Sequence, residues 1–295
     1  MLRHHHLRPL VPDRVVVLGA RGFIGNAIAA RLAAQRVPVM ALGRSEIDLT
    51  ARDAGDRLAQ WLQRADALVM VSARAPCKTP QMLLDNIQMM VAVCDALERS
   101  PVAHVVYVSS DAVYHDTLTP LNEGSPAAPT SLHGAMHLAR EQMLQAAIGR
   151  IPLALLRPTL VYGASDPHNG YGPNRFRRLA NRGEPIVLFG EGEEQRDHVY
   201  VEDVATIACR VLAQRSEGTL NIATGLVTSF RAIAEQVVAL SRTKVPISTS
   251  PRNGPMPHNG YRAFDPQNTL AAFPDFRYTA LAEGLKRAQQ QEFAP

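Results

Sequence analysis

The amino-acid sequence predicts an α/β fold, in which helices cover a doubly wound parallel sheet and a smaller C-terminal lobe follows. Short aliphatic runs such as "RVVVLG", "ADALVM" and "AHVVYVSS" alternate with longer stretches of helical periodicity. Such alternation is typical of parallel strands joined by crossover helices. The 295 residues suffice for one large domain or two modest lobes. We predict a sheet domain over 1–163 and a lobe over 164–295, with 197–225 packing back on the sheet domain.

Composition and charge indicate a globular protein that binds small molecules. Hydrophobic residues make up 46% of the chain and charged residues 20%, as in ordinary globular domains. The net charge of +4 comes from interleaved acids and bases, which favours a small anionic ligand over nucleic acid. No apolar stretch reaches the ~18 residues that a membrane span needs. We therefore expect neither nucleic acid nor a membrane as a partner.

The cysteines and the first residues bear on the cellular compartment. Cys77, Cys94 and Cys209 are far apart and odd in number, which favours buried thiols over a disulfide framework. The start "MLRHHHLRPLVP" has no apolar core region, so we expect no secretory signal and predict a frayed surface segment there. The expected location is the cytoplasm.

The first strand runs directly into a glycine-rich turn. The stretch "RVVVLGARGFIGNAIAARLAAQ" combines a buried strand, three spaced glycines and an alanine-rich helix. Glycines let the chain turn sharply and let backbone amides approach a pyrophosphate, while the helix N-terminus supplies positive potential. We predict a dinucleotide site here, against the alternative of a tight turn without a ligand. Its predicted residues are Gly19, Arg21, Gly22, Phe23, Ile24 and Gly25.

The second strand bears on which dinucleotide binds. An acid at the end of this strand usually serves the adenosine ribose of NAD. Here the strand runs into Gly43 and Arg44, and Arg21 lies in the glycine turn. Two guanidinium groups match the 2′-phosphate of NADP, so we predict NADP. NAD is the alternative, because Glu46 or Asp48 could serve its ribose.

Several motifs follow one another in a characteristic order between Arg14 and Arg287. They are "GARGFIG", "VVYVSSDAVY", "LRPTLVYG", "PIVLFGEGEEQRDHVYVEDVA", "GTLNIATG" and "FDPQNTLAAF". Together they resemble the extended short-chain dehydrogenase/reductase family, in its nucleotide-sugar epimerase, dehydratase and reductase group. The resemblance implies an NAD(P)-binding Rossmann domain and a mainly substrate-binding lobe. It also implies cofactor contacts at Arg44, Asp48, Leu49, Ser72, Ala73, His137 and Pro158.

Members of this family use a Ser or Thr together with a Tyr-x-x-x-Lys pair on a helix. The Tyr is the general acid and base, and the Lys binds the nicotinamide ribose and lowers the pKa of the Tyr. The resemblance places Ser110 at the Ser position, His133 at the Tyr position and His137 at the Lys position, within "SLHGAMHLARE". Both residues of the usual pair are therefore replaced by histidine.

Four-residue spacing on a helix keeps His133 and His137 on one face. His133 could exchange a proton as imidazole and imidazolium, and His137 could bind ribose hydroxyls as a neutral ring. The alternative is a site that has lost its proton-transfer group and only binds ligands. Two such histidines also resemble half a metal site, but no third ligand can be placed, so we predict no metal.

Departures from the family pattern narrow the chemistry. Asp111 matches the first residue of the Asp-Glu pair of the family's dehydratases and is a candidate substrate-binding residue, but Ala112 stands where the Glu would be. Dehydration needs that second carboxyl for proton transfer, so we disfavour it. Leu160 occupies a position often held by Asn in nucleotide-sugar members.

Further substrate contacts are implied in the C-terminal lobe. Arg196 matches the family arginine that grips a nucleotide diphosphate, and the alternative is an ion pair with Asp197 or Asp203. Arg252 lies near a second family arginine, although its spacing departs from the pattern. Asn174 is expected near the substrate at the start of a helix.

The leading functional prediction is an NADP(H)-dependent oxidoreductase that acts on a nucleotide-linked keto-sugar. The alternatives are an epimerase that uses bound NAD transiently, and a cofactor-binding sensor or scaffold without turnover. Family members commonly dimerise through two helices, here about 81–98 and 132–148, and the first is unusually apolar. We predict a homodimer, against the alternative that this helix is buried within its own subunit.

Overall fold

A computed structural model of the chain describes residues 2–292, so residue 1 and residues 293–295 of the predicted domains lie outside the described part. The strands are β1 (Arg3–His4), β2 (Val15–Leu18), β3 (Val39–Leu42), β4 (Ala67–Met70), β5 (His104–Val108), β6 (Leu153–Pro158), β7 (Leu160–Tyr162), β8 (Ile186–Phe189), β9 (Gln195–Tyr200), β10 (Ser216–Ile222), β11 (Val227–Ser229), β12 (Ile247–Ser250) and β13 (Tyr261–Arg262). The α-helices are α1 (Phe23–Ala34), α2 (Ala54–Trp61), α3 (Pro80–Arg99), α4 (Leu132–Ala147), α5 (Pro173–Asn181), α6 (Val201–Ala213), α7 (Phe230–Leu240), α8 (Gln267–Ala272) and α9 (Leu281–Glu292).

The chain divides into two compact units. The sheet unit comprises the residues up to His115, Glu123–Pro158 and Val204–Ile222. The second unit comprises Asp116–Asn122, Thr159–Asp203 and the described residues from Ala223 onward. Asp116–Asn122 therefore groups with the second unit, although it falls within the bounds predicted for the first domain.

The sheet unit contains a seven-stranded sheet in the order β1-β10-β6-β5-β4-β2-β3. Neighbouring strands from β10 through β3 are parallel, while β1 is antiparallel to β10. From β2 the chain continues to β3 on one side and to β4 on the other, which is the doubly wound arrangement of a Rossmann-type sheet. The predicted fold class is confirmed. Ligands of such sheets bind outside the carboxyl ends of the strands, here the ends of β2, β4 and β5.

One hydrophobic cluster of the sheet unit lies between the strands and the helices α2, α3 and α4. Strands β2, β4 and β5 are buried at every residue, as expected for parallel strands covered by helices. Helices α2, α3 and α4 pack side by side, and their apolar side chains join those of the strands in one cluster. Cys77, Cys94 and Cys209 are buried and form no disulfide. Within residues 2–292 no helix is both long and apolar enough to cross a bilayer.

The N-terminal segment differs from the predicted frayed surface segment, because it forms β1 at the edge of the sheet. The imidazole Nδ1 of His4 lies 2.7 Å from Ser216 Oγ, and His5 Nε2 lies 2.8 Å from Glu217 Oε2. The prediction was wrong because this stretch has no alternation of apolar and polar residues. Pairing with the exposed edge of β10 decides its conformation instead.

The second unit is built around β9, which pairs with β7, β11 and β13. Strands β8 and β12 form a separate parallel pair. The ring of Tyr171 lies 4.8 Å from that of Phe189 and 4.7 Å from that of Phe230, measured between ring centroids. The buried ring of His198 packs 5.7 Å from Phe230. Aromatic packing therefore joins β8, β9 and α7.

A buried ion pair joins α4 to the central strands. Arg157, in β6, donates from Nε to Glu141 Oε1 at 2.9 Å and from Nη2 to Glu141 Oε2 at 2.5 Å. Ser109, just after β5, donates to the same carboxylate at 2.6 Å, and Arg157 also donates to the hydroxyl of Tyr114 at 2.9 Å. Both charges are desolvated, so each depends on the other.

We expect Glu141→Gln to lower the free energy of unfolding by about 3–5 kcal/mol, because Arg157 would keep a buried charge without its counterion. Urea denaturation measures the change. The matched control is Glu184→Gln, which breaks the exposed pair between Arg182 and Glu184 and should have little effect. Equal destabilisation by the two variants would contradict the assigned importance of the buried pair.

Candidate active site

The glycine turn lies where β2 ends and α1 begins. Gly19 has φ +88°, and a Cβ there would lie 2.7 Å from the backbone nitrogen of Ser72. A Cβ on Gly25 would lie 2.1 Å from the carbonyl oxygen of Gly19. Gly22 caps α1 without a side-chain hydrogen bond, and the first turn of α1 contains no acidic residue. These backbones approach closely and leave the helix N-terminus suited to an anion, so the turn fits a dinucleotide pyrophosphate.

Two arginines and two acids lie at the end of β3. Arg21 pairs with Glu46, which also accepts the backbone N–H of Gly43 at 2.8 Å. Arg44 donates from Nη2 to Asp48 at 3.1 Å. The backbone hydrogen bond from Gly43 is the main cause that lowers the pKa of Glu46. Arg21 and Arg44 are the residues predicted to bind a 2′-phosphate. Each of them forms an ion pair with a carboxylate.

The other predicted cofactor residues lie along the carboxyl edge of the sheet. The backbone N–H of Ser72 donates to Leu18 at 3.0 Å, which brings the end of β4 against the glycine turn, and Ala73 follows directly. Leu49 is buried beside Asp48, and Pro158 ends β6. The structure thus brings Gly19, Gly25 and Ser72 into contact, while Phe23 and Ile24 form the first turn of α1.

The Ser110 turn contacts the start of α4. Ser110 Oγ accepts the backbone N–H of Ala112 at 3.1 Å and opens the 3-10 helix Asp111–Val113. Ser131 caps α4 by accepting the N–H of Gly134 at 3.1 Å. A Cβ on Gly134 would lie 1.9 Å from the carbonyl oxygen of Ala112, so only glycine allows this approach. Ser110 and His133 therefore lie on adjacent, directly packed elements.

The two imidazoles contact each other edge to face. The ring centroids of His133 and His137 lie 4.7 Å apart with an interplanar angle of 86°. His133 is half-buried, and its Nδ1 accepts the backbone N–H of Cys77 at 3.3 Å. His137 is buried, and its Nδ1 lies 2.7 Å from the hydroxyl oxygen of Tyr107.

The contact with Cys77 determines which nitrogen of His133 carries the proton. A backbone N–H can only donate, so Nδ1 of His133 must be the acceptor, and the neutral ring carries its proton on Nε2. An imidazolium would direct an N–H at another N–H. The contact therefore favours a neutral His133 whose Nε2 carries the N–H.

Tyr107, Arg140 and the backbone of Cys77 are site residues that the sequence analysis missed. Tyr107 looks like one more apolar residue of a buried strand, and the loop after β4 gives no indication that it reaches α4. Arg140 could have been found, because it lies three residues after His137 and therefore on the same helix face. It is 0% exposed.

Charged side chains cluster in the second unit around Glu194. Arg196 donates from Nε to Glu194 Oε1 at 2.7 Å, and Arg252 donates from Nη1 to Glu194 Oε2 at 3.3 Å. The structure thus brings together Arg196 and Arg252, the two arginines predicted to bind substrate. The alternative partners named from the sequence also accept other donors: Asp197 accepts the backbone N–H of Gly225 at 2.7 Å, and Asp203 accepts the backbone N–H of Thr279 at 2.8 Å.

The remaining candidates take local partners. Asn174 is buried in the second unit, and its Oδ1 accepts the backbone N–H of Gly163 at 3.0 Å. Asp111 lies in the sheet unit, where its Oδ1 is 3.3 Å from Ser110 Oγ. Among residues 2–292 no group of three or more His, Cys, Asp and Glu side chains could hold a metal ion.

The glycine turn, the Ser110 turn and the α4 face identify the class of protein. Residues 15–223 match the NAD dependent epimerase/dehydratase family, and the chain belongs to that family. The family resemblance predicted from the motifs is confirmed.

Relatives of known activity support this family assignment. The chain is 26% identical over 307 residues to UDP-glucose 4-epimerase from Mycolicibacterium smegmatis, covering 93% of this chain and 96% of the relative. It is 28% identical to dTDP-6-deoxy-L-talose 4-dehydrogenase (NAD(P)(+)) from Kitasatospora kifunensis, covering 86% and 87% of the two chains. The fold is similar to that of UDP-glucose 4-epimerase from Thermus thermophilus in complex with NAD, with a TM-score of 0.82, 23% identity and coverage of 95% and 98%.

We expect Gly25→Ala to lower dinucleotide affinity by about five- to 150-fold, because the added methyl group would push the glycine turn away from α1. A distortion of this kind costs about 1–3 kcal/mol, and about 1.4 kcal/mol corresponds to tenfold. Calorimetric titration with NADP and NAD measures the change. Gly170→Ala is the control, since its Cβ would meet no atom within 4 Å. Unchanged affinity in the Gly25 variant would remove the glycine turn from the binding site.

Three histidines are buried as neutral rings. Burial lowers the pKa of His104 to about 4 and that of His198 to about 3. Burial, followed by the neighbouring His133 and Arg140, lowers the pKa of His137 well below 6.5. As the pH falls below about 6.5, the unfolded chain takes up protons at these rings and the folded chain does not.

The free energy of unfolding should therefore fall with decreasing pH, by up to about 1.4 kcal/mol per pH unit for each ring. Urea denaturation between about pH 7.5 and pH 5 tests this, with His198→Phe removing the share of one ring. Thr243→Ser, at an exposed position, is the control, because it removes no titratable group and should leave the slope unchanged. A slope equal in wild type and His198→Phe would show that burial does not hold His198 neutral.

Proposed function

We propose that the protein is an NADP(H)-dependent oxidoreductase that reduces a nucleotide-linked keto-sugar. Its family membership and the activities of its relatives support a nicotinamide enzyme that acts on nucleotide sugars. The observation that carries the choice of reduction is the contact between Cys77 N–H and His133 Nδ1. That contact leaves an N–H at Nε2, which can stabilise a developing oxyanion.

An N–H at Nε2 of His133 is better suited to a substrate that reacts first at a carbonyl than to one that reacts first at a hydroxyl. A bound dinucleotide would supply the hydride. His133 would hold the carbonyl oxygen through Nε2–H, and Ser110, on the packed neighbouring turn, is the second candidate for this contact. The proton that converts the resulting alkoxide to the alcohol would come from solvent water. An epimerase must first take a proton from a hydroxyl, and a ring with its Nδ1 engaged by a backbone donor is a poor base.

The preference for NADP is supported by Arg21 and Arg44. Guanidinium groups bind a phosphate dianion through paired, charge-assisted hydrogen bonds. Their present partners, Glu46 and Asp48, form exposed pairs that contribute little and can be exchanged for a ligand. NAD is the alternative, supported by the NAD-bound structure of the Thermus enzyme.

We further propose that the second unit binds the nucleotide part of the substrate through Arg196 and Arg252. Both guanidinium groups are positioned by Glu194, and a diphosphate is the anion that such groups match. Homodimerisation through α3 and α4 in the cytoplasm is proposed as well. It is supported by the exposed side chains of Leu84 and Val91 on α3, which are 58% and 44% accessible.

The proposed activity is tested by offering the purified protein NADPH and a nucleotide-linked 4-keto-hexose. NADPH should be consumed, with kcat/KM for NADPH at least tenfold above that for NADH because two arginines match the 2′-phosphate. His133→Phe should lower turnover by about 10²–10³ through loss of the N–H donor. His168→Gln, at an exposed position in the second unit, is the control.

Other outcomes would favour the alternatives. Interconversion of nucleotide-sugar epimers without net NADPH consumption would identify an epimerase. Dinucleotide binding without hydride transfer to any such substrate would identify a sensor or scaffold. Full activity of His133→Phe would remove this residue from the chemistry while leaving the reaction class intact.

A further inference from the structure

The most unusual charge in the sheet unit is the guanidinium of Arg140, which is 0% exposed. It donates from Nη2 to the carbonyl oxygen of Ser72 at 2.8 Å, and its Nη1 lies 3.8 Å from Met136 Sδ. Among the described residues its Nε has no hydrogen-bond partner, and none of its contacts is a carboxylate. Burying a cation without a counterion lowers the free energy of unfolding, so we expect Arg140 to have a function that offsets this cost.

Tyr107 connects this cation to the histidine pair. The guanidinium carbon of Arg140 lies 5.2 Å from the centroid of the Tyr107 ring, and the Tyr107 hydroxyl lies 2.7 Å from His137 Nδ1. Tyr107 comes from β5, whereas His137 and Arg140 are neighbours on α4. The three side chains therefore form one buried chain of contacts that ends at the candidate active site.

Chemistry sets the direction of the hydrogen bond between Tyr107 and His137. A guanidinium is always charged and can only donate, so it draws electrons from the phenol oxygen and strengthens the O–H as a donor. The same positive charge opposes a second proton on the His137 ring and so favours the neutral ring, which has one nitrogen free to accept. Both effects favour Tyr107 O–H as the donor and His137 Nδ1 as the acceptor.

We propose that Tyr107 and Arg140 are positioning residues that hold His137 as a neutral ring protonated at Nε2. With His133 held in the same form by Cys77, the α4 face presents two neutral N–H donors. This inference rests on the proposed function for its use, since fixed neutral donors suit binding of ribose or carbonyl oxygens. The protonation state itself does not depend on which reaction occurs.

Other ionisable side chains lie near Arg140, Tyr107 and His137, on the helices that pack around them. Cys94 from α3 and Glu141 from α4 lie near Arg140 and Tyr107, and His133 contacts His137 directly. Burial raises the pKa of Cys94 to about 11 and that of Tyr107 to about 12, so both are neutral near pH 7. The carboxylate of Glu141 is engaged by Arg157. Besides burial and His133, the positive charge of Arg140 acts on His137, and none of the hydrogen-bond partners of Arg140 is a carboxylate.

The test uses full-length protein with ¹⁵N-labelled histidine and no added ligand. Long-range proton–nitrogen correlation spectra distinguish the two neutral tautomers, and comparison with His137→Gln assigns the signals. The wild-type signal of His137 should be pyridine-like at Nδ1 and pyrrole-like at Nε2 from about pH 7.5 to pH 5. In Tyr107→Phe the Nδ1 and Nε2 signals of His137 should move closer together, because the two tautomers average. In Arg140→Leu the titration of His137 should shift to higher pH.

Tyr278→Phe is the matched control, because it removes a tyrosine hydroxyl in the second unit that donates to Thr269 Oγ1 at 3.2 Å instead of contacting a histidine. It should leave the His137 spectrum unchanged. If Tyr107→Phe does not fold, 3-fluorotyrosine at position 107 replaces it and should move the Nδ1 signal. A wild-type His137 protonated at Nδ1, or a spectrum unaffected by either change at position 107, overturns the proposal. Absence of keto-sugar reduction with the expected spectra would overturn the proposed function alone.

Discussion

The buried pair between Arg157 and Glu141 is the interaction on which the geometry of the sheet unit depends. It fixes α4 against β5 and β6, and Ser109 donates to the same carboxylate. Glu141 lies one turn after His137 and two turns after His133, so a helix held at Glu141 cannot rotate these rings away. Because neither charge is stable alone in the interior, sliding of α4 along the sheet would be costly.

Much of the sheet unit could be predicted from sequence, because its patterns are local. Aliphatic runs identify buried parallel strands, and three glycines between a strand and a helix identify the turn at Gly19. The spacing of His133 and His137 places both rings on one face of α4. The Cys77 contact could not be predicted, because it joins residues that are 56 positions apart in the chain. The role of Tyr107 depends in the same way on tertiary packing.

The arginines of the second unit show a different limit of prediction from sequence. The sequence suggested Asp197 or Asp203 as alternative ion-pair partners of Arg196, whereas the structure pairs Arg196 with Glu194. Residues two apart in an extended chain point to the same side, which makes Glu194 the better candidate. Arg196 and Arg252 are expected to bind a diphosphate, and Glu194 thus already neutralises part of their positive charge.

The short strand β1 has a consequence for solubility. Without it, β10 would end the sheet with an open row of backbone donors and acceptors, which is a template for pairing with other chains. A strand of two residues, Arg3 and His4, followed by His5 and His6, makes a poor template for further strand addition. β1 therefore protects β10 from edge-to-edge aggregation. Loss of β1 would expose the edge of β10.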